Sequence, residues 1–309
     1  MPGANSVTSN QESLHKDLEK VVRKYAATVF LRPIAEHTRE AFAEAEEFVK
    51  KFYDASEKGD PGTMSGVTGE NAMGKKGNPE ILRLRSGQAQ CGVTSGNVMG
   101  KKGDPGTLAS SGSFDGVAAP RTVILDSGCG TGESTIHIAR RFPNIPVIGI
   151  DKSGMRLNKA GNPVQTAGED VPRNAFWIRA ELLDFWRLAL DRVKAGEWAI
   201  PYHAVYYPNP WPKQSEATRR FHMHPIFPTL LALGQTTELR TNWEIYAREF
   251  AEAARIVLSA NAASANAQIT CEPFEPIAPE TAFERKYKEA RQTLWKVVIA
   301  ASRQVCVTR

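Results

Sequence analysis

The stretch Val123-Ile-Leu-Asp-Ser-Gly-Cys-Gly-Thr-Gly132 runs from an apolar segment into a loop that has a glycine at every second position. The apolar segment predicts a short buried strand, and the following GESTIHIARRF segment has the periodicity of a helix. Glycine is required where the backbone turns tightly and where a ligand must approach the main chain. Because doubly wound sheets bind ligands at the carboxyl ends of their strands, this loop predicts a binding site in an α/β fold. The alternative is a Gly-rich turn without a ligand.

Short apolar runs alternate with helical patterns from Arg121 onward. The later predicted strands are PVIGID, NAFWIRA, AVYYPNP, ELRTN and LWKVVIA, and the predicted helices between them include LLDFWRLALDRV and WEIYAREFAEAARIVL. This alternation predicts a mostly parallel, doubly wound sheet with helices on both faces. We therefore expect residues 120–309 to form one Rossmann-like α/β domain.

Two further segments precede this domain. Residues 1–55 predict an N-terminal helical extension, since apolar side chains recur at helical spacing on both sides of Pro33. Residues 56–119 are rich in glycine and contain a crude repeat, MGKKGNPEIL followed by MGKKGDPGTL. Their composition predicts a low-complexity insertion that is mostly disordered, because it has too few apolar residues to bury a core.

Composition restricts the class of protein. The chain has 309 residues, of which 41% are hydrophobic and 24% charged, and these fractions are ordinary for a globular protein. No apolar run is long enough to cross a membrane, and the start lacks a secretory pattern. The four cysteines are scattered, so we expect reduced thiols and a cytoplasmic location. His222 and His224 have no third ligand nearby in the sequence, so we expect no metal site. A net charge of +5 permits an anionic partner. The sequence predicts no particular oligomeric state.

Two acidic residues indicate which cofactor the glycine loop binds. The loop spacing, D-S-G-C-G-T-G, differs from the G-x-G-x-x-G pattern of dinucleotide sites. Asp126 at the end of the first strand would repel a pyrophosphate but suits a cationic sulfonium. Asp151 ends the second strand, where a carboxylate can accept hydrogen bonds from both ribose hydroxyls. These features favour S-adenosyl-L-methionine over NAD.

Four stretches carry a resemblance to a known family. They are ILDSGCGTGEST, YYPNPWPK followed by Arg219–Arg220, ELRTNWEIYAREF and TAFERKY. With these stretches the chain resembles the tRNA (guanine-N7)-methyltransferases, which are class I enzymes that use S-adenosylmethionine. The resemblance implies a Rossmann-like class I methyltransferase sheet, transfer of a methyl group to N7 of a guanine, and tRNA as the substrate.

The resemblance also implies roles for individual residues. Those implied to bind the cofactor are Asp126, Gly128, Gly130, Asp151 and Glu181. Those implied to surround the methyl-transfer centre are Asn209, Asn242, Thr281 and Glu284. Those implied to contact tRNA phosphate are Lys213, Arg219 and Arg220. Trp211 either stacks on a base or packs against the protein.

The chain departs from the family at two positions, because Asn209 and Asn242 stand where the family has aspartate. A carboxylate only accepts hydrogen bonds, whereas an asparagine side chain also donates them. Guanine N7 carries no proton, so its methylation requires no general base and tolerates this change. Other methyltransferases of this fold place a similar Asn-Pro motif beside exocyclic amines. Two alternatives therefore stay open: methylation of another base or a non-RNA substrate, and a non-catalytic RNA-binding subunit.

Overall fold

A computed structural model describes residues 7–57, 119–160, 171–260 and 266–300. The strands within these ranges are Arg121–Thr122 (β1), Ile124–Ser127 (β2), Val147–Asp151 (β3), Ala175–Arg179 (β4), Trp198–Ala199 (β5), Tyr202–Tyr206 (β6), Thr236–Thr241 (β7), Gln268–Phe274 (β8) and Leu294–Ala300 (β9). Seven of these described strands form the main sheet, in the spatial order β4-β3-β2-β6-β7-β9-β8, and β1 and β5 form a short parallel pair.

The order of the strands confirms the predicted doubly wound sheet. From β2 the chain first moves outward through β3 to β4, and it then returns to the other side of β2 as β6 and β7. These five strands are parallel, whereas β9 runs antiparallel to both β7 and β8. The strand order reverses between β2 and β6, which is where open α/β sheets bind their ligands. The glycine loop leaves β2 at this point.

Helices cover the sheet. They are Leu18–Ala26 (α1), Glu36–Glu57 (α2), Glu133–Arg141 (α3), Gly154–Ala160 (α4), Leu182–Lys194 (α5), Phe227–Leu233 (α6), Glu244–Ser259 (α7) and Ala282–Glu289 (α8). Two 3-10 helices, Gln214–Arg219 and Phe221–Met223, lie between β6 and α6. The larger hydrophobic core contains buried side chains of α5 and α7 such as Phe185 and Phe250, and the smaller core contains Ile138 of α3.

The N-terminal helices α1 and α2 share the larger core. Leu18 and Val22 of α1 and Phe42 and Val49 of α2 are all buried in it. Helix α1 packs on α7, while α2 packs on β4 and α5. The backbone amide of Glu181 donates to the Thr38 hydroxyl, so the start of α2 contacts the start of α5 directly.

Some elements were not predicted. Strand β8 and helices α4, α6 and α8 are absent from the sequence interpretation, because their apolar patterns are short or broken. The predicted insertion lies almost entirely outside the described residues, so the division into 1–55, 56–119 and 120–309 remains a prediction. Within the described ranges, no helix combines the length and the apolar character that crossing a membrane requires.

Candidate functional site

A cavity of about 410 Å³ lies where the strand order reverses. Its volume is typical of a small-molecule site. Six of the predicted site residues line it: Gly128, Asp151, Glu181, Asn209, Trp211 and Arg219. A second cavity of about 480 Å³, beside α8, contains none of the predicted site residues. The lining of the first cavity thus includes residues of both the glycine loop and the loop that follows β6.

The glycine loop leaves open space on its cavity side. Gly128 and Gly130 have φ angles of 80° and 59°, in the left-handed region that favours glycine. A Cβ atom added at Gly128 would meet nothing within 4 Å, and one at Gly130 only a carbonyl oxygen at 4.0 Å. The loop is thus a cradle that a ligand can approach closely, and it fits the predicted cofactor.

Asp151 lies at the end of β3 and lines the cavity. Its carboxylate accepts hydrogen bonds from the Ser153 amide at 2.7 Å and the Gly130 amide at 3.1 Å. Arg156, whose side chain is half-exposed, approaches the same carboxylate at 3.4 Å. The Asp151 carboxylate therefore holds the glycine loop through the Gly130 amide, and it is a hydrogen-bond acceptor at the cavity wall.

Asp126 does not line the cavity, which differs from the place predicted for it beside the sulfonium. Its carboxylate is buried and accepts hydrogen bonds from the Ser134 hydroxyl at 2.6 Å and the Thr135 hydroxyl at 2.7 Å. Burial raises the pKa of Asp126 to about 6, against the lowering effect of the two hydroxyls. Asp126 thus anchors the start of α3 beneath the glycine loop.

The raised pKa of Asp126 predicts a pH-dependent stability. Because the folded pKa lies above the unfolded value of 3.8, the folded state binds more protons, and this contribution is lost as the pH rises through about 6. Raising the pH from about 5 to about 7.5 should lower the free energy of unfolding by about 1 kcal/mol relative to Asp126→Asn. Urea denaturation of both proteins measures this difference. Burial lowers the pKa of His203, so His203 makes the folded state more stable as the pH rises, but this effect is the same in both proteins and cancels. A difference in unfolding free energy between the two proteins that does not change with pH would contradict the prediction.

The loop after β6 has an unusual backbone. Tyr207 and Trp211 have φ angles of 49° and 44°, a left-handed conformation that non-glycine residues rarely adopt. The Trp211 amide donates to the exposed Asn209 side chain at 3.3 Å. The Arg219 guanidinium lies over the Trp211 ring, 4.6 Å from its centroid. Lys213 is exposed next to this loop.

Arg220 does not occupy the place predicted for it, because its side chain is fully buried. The guanidinium donates to Glu249 at 2.6 Å, to Gln11 at 3.0 Å and to the Trp211 carbonyl at 3.0 Å. The prediction that Arg220 contacts tRNA phosphate is therefore wrong. Its role in this structure is to fix the Trp211 loop to α7 and the N-terminal segment, whose Ser9 hydroxyl donates to the Pro212 carbonyl.

Glu284 and Thr281 also lie behind the cavity wall. Glu284 is fully buried and accepts hydrogen bonds from Arg240 at 2.9 Å, the Tyr207 hydroxyl at 3.2 Å and the Glu280 amide at 2.7 Å. The Thr281 hydroxyl accepts from the Glu284 amide and caps α8. Direct contact between Glu284 and a substrate base, as the sequence interpretation allowed, is incompatible with this burial.

Asn242 follows β7 and does not line the cavity. Its amide donates to the Gln292 side chain at 3.0 Å. An aspartate at this position would lose that donor. The asparagine therefore has a structural partner here, which the sequence alone did not indicate.

Sequence reasoning missed several residues that line the cavity. They include Ser127, Lys152, Arg156, Tyr206 and Tyr207. Ser127 and Lys152 directly follow the two predicted aspartates, so their position at a strand end was the available signal. Arg156 carried no signal, because the short helix α4 was not predicted.

A doubly wound sheet with a Gly-rich loop after its first long strand and a carboxylate at the end of the next is typical of a nucleotide-binding fold. Residues 120–297 match the sequence model of a family described as "Putative methyltransferase". The chain belongs to this methyltransferase family, and it is an enzyme whose cofactor is S-adenosylmethionine.

Curated relatives cover the same part of the chain. A protein of Neisseria meningitidis serogroup C / serotype 2a, named tRNA (guanine-N(7)-)-methyltransferase, is 29% identical over 58% of this chain and 71% of its own length. A Burkholderia vietnamiensis protein with the same name is 28% identical over 59% of this chain and 68% of its own length. Among solved structures, the 16S rRNA methyltransferase KamB covers 60% of this chain and 89% of its own, with 17% identity and a TM-score of 0.41.

Proposed function

We propose that this enzyme transfers the methyl group of S-adenosylmethionine to N7 of a guanine in tRNA. One observation carries the proposal: the cavity that begins at Gly128 and Asp151 continues to Asn209 and Trp211. A cofactor and a base bound at these two ends would share one cavity. The names of the curated relatives support guanine N7 in tRNA as the target. The cytoplasmic location expected from the sequence belongs to the same proposal.

In this proposal, the strand ends bind the cofactor. Asp151 accepts hydrogen bonds from the ribose hydroxyls, and Gly128 and Gly130 let the rest of the cofactor approach the main chain. Glu181 begins α5 at the cavity wall and lies on the same side. When bound, S-adenosylmethionine supplies an electrophilic methyl group on a positively charged sulfur. Asp126 contributes indirectly, because it holds the start of α3 under the loop.

We expect Asp151→Ala to weaken binding of S-adenosylhomocysteine by on the order of 1–3 kcal/mol, because a hydrogen-bonded buried carboxylate is lost. Titration calorimetry measures the change. Asp191→Ala is the matched control, since Asp191 is exposed on α5 and does not line the cavity. Equal affinities of the Asp151 variant and the control would remove Asp151 from the ribose role.

The loop after β6 binds the base. Asn209 lies at the rim, where its side chain can contact the guanine edge, and Trp211 lies beside it. N7 of guanine has a free lone pair, so these residues need only align it with the methyl group and no side chain must remove a proton. Glu284 and Thr281 act as positioning residues, since Glu284 holds the hydroxyl of Tyr207 at the cavity wall.

Exposed cations near the loop provide a place for the RNA backbone. Lys213 and Arg219 are exposed beside Trp211, and we assign them to tRNA phosphate. Asn242 follows β7, donates a hydrogen bond to the Gln292 side chain and does not line the cavity. The substrate role of Asn242 is therefore indirect in this proposal.

An in vitro assay tests the proposed reaction. The purified chain is incubated with an unmodified tRNA transcript and S-adenosylmethionine that carries an isotopically labelled methyl group. Mass spectrometry of the digested nucleosides should show the label in 7-methylguanosine. Label in a different nucleoside would replace the proposed target atom, and absence of label from every RNA supplied would contradict RNA as the substrate.

A further inference from the structure

Ser127, the last residue of β2, lies in a buried hydrogen-bonded group at the cavity wall. Its hydroxyl oxygen is 2.8 Å from the indole nitrogen of Trp186 on α5 and 2.8 Å from Nε2 of His203 on β6. All three side chains are buried, and Ser127 also lines the cavity. Ser127 therefore contacts two buried side chains of the core and also lies at the wall of the cavity.

The proton position on His203 follows from its surroundings. Burial lowers the pKa of His203 to about 3, so its ring is neutral and carries one proton. Its Nδ1 atom has no hydrogen-bond partner in the described part of the chain. Buried N–H groups without a partner are rarer than buried acceptors without one. We therefore assign the proton to Nε2, so that His203 donates to the Ser127 oxygen.

This tautomer leaves Ser127 with a free donor. A hydroxyl oxygen accepts two hydrogen bonds and donates one. Trp186 and His203 fill both acceptor positions, and among the described residues nothing accepts the hydroxyl hydrogen of Ser127. Ser127 is one of the residues that line the cavity, so we take a molecule bound there as the acceptor of this hydrogen.

We propose that Ser127 binds the cofactor by donating its hydroxyl hydrogen to the carboxylate of the methionine part. The carboxylate is the only anionic acceptor of S-adenosylmethionine, and hydrogen bonds to ionised acceptors are the strongest. Asp151, on the adjacent strand, is an acceptor and suits the ribose hydroxyls instead. The two strand ends thus offer a donor to the methionine part and an acceptor to the ribose of one molecule. This proposal rests on the cofactor and not on the tRNA substrate.

Calorimetry with two ligands tests the assignment. S-adenosylhomocysteine contains the carboxylate, whereas 5′-methylthioadenosine lacks the whole amino-acid part. We expect Ser127→Ala to weaken S-adenosylhomocysteine on the order of tenfold or more and to leave 5′-methylthioadenosine unchanged. Unchanged affinity for both ligands, or an equal loss for both, would overturn the proposal. No RNA is present, so the result is independent of the proposed methylation target.

Two further measurements separate binding from folding. Trp186→Phe removes a donor to Ser127 but keeps the free hydroxyl hydrogen, so S-adenosylhomocysteine should bind this variant as it binds the unaltered protein. A loss as large as that of Ser127→Ala would show that the network acts only structurally. If Ser127→Ala does not fold, nitrogen-15 NMR of His203 in the unaltered protein decides the point. A proton on Nε2 supports the proposal, and a proton on Nδ1 overturns it.

Discussion

Replacing Asn209 with alanine should lower the turnover of tRNA by roughly ten- to a thousandfold, the range for removing one well-placed polar group at a transition state. Asn209 is the exposed polar side chain of the cavity loop, so its loss removes a contact to the base without opening a hole in the core. Single-turnover assays with saturating cofactor measure the effect. Asn144→Ala is the matched control, because Asn144 is an exposed asparagine at the amino end of β3, opposite the cavity.

The substitution Asn209→Asp separates the two candidate target atoms. If the target is N7 of guanine, the aspartate should keep activity, because no proton is removed and a carboxylate can accept from the guanine edge. If the target is an exocyclic amine, the asparagine must both accept and donate, and the aspartate should disrupt recognition. An inactive aspartate variant beside an active unaltered protein would count against guanine N7.

Replacing Glu249 with alanine should lower the free energy of unfolding by about 3–5 kcal/mol, because a buried charge loses its counter-ion. Glu249 is fully buried and accepts hydrogen bonds from Arg220 at 2.6 Å, His222 at 2.9 Å and the Gln11 side chain at 2.5 Å. These contacts hold the pKa of Glu249 down to about 2, against the effect of burial. Without the carboxylate, the positive charge of Arg220 stays buried without a counter-ion, and Gln11 and His222 lose this hydrogen-bond acceptor.

A control on the same helix makes this measurement specific. Glu252 pairs with Arg255 at 3.1 Å, but both side chains are largely exposed, so Glu252→Ala should cost about 1 kcal/mol or less. Urea denaturation of both variants compares the buried pair with the exposed pair. A Glu249 variant as stable as the Glu252 variant would contradict the structural role of Arg220.

The parallel part of the sheet could be predicted from the sequence because its strands are local apolar runs. Residues 123–125 and 147–150 are buried and form short continuous apolar segments. Strand β8 lacks this signal, since its residues alternate between exposed and half-buried positions and include Pro273. The helix Phe227–Leu233 is too short for its apolar residues to show a helical period.

The site was predictable where a residue acts from its own strand end. Asp151 is the last residue of β3 and Asn209 lies in the loop just after β6, so the topology brings them to one cavity. The burial of Arg220 was not predictable, because its partners Gln11 and Glu249 are 209 and 29 residues away in the sequence. The tautomer of His203, likewise, depends on which atoms surround Nδ1 in three dimensions.

The nucleosides of bulk tRNA from cells that lack the gene for this chain test the account most directly. We predict that 7-methylguanosine is lost from that tRNA, and that the unaltered gene restores it whereas the Asn209→Ala form restores little. Other methylated nucleosides should stay at their normal amounts. An unchanged 7-methylguanosine content, or the loss of a different methylated nucleoside in its place, would contradict methylation of guanine N7.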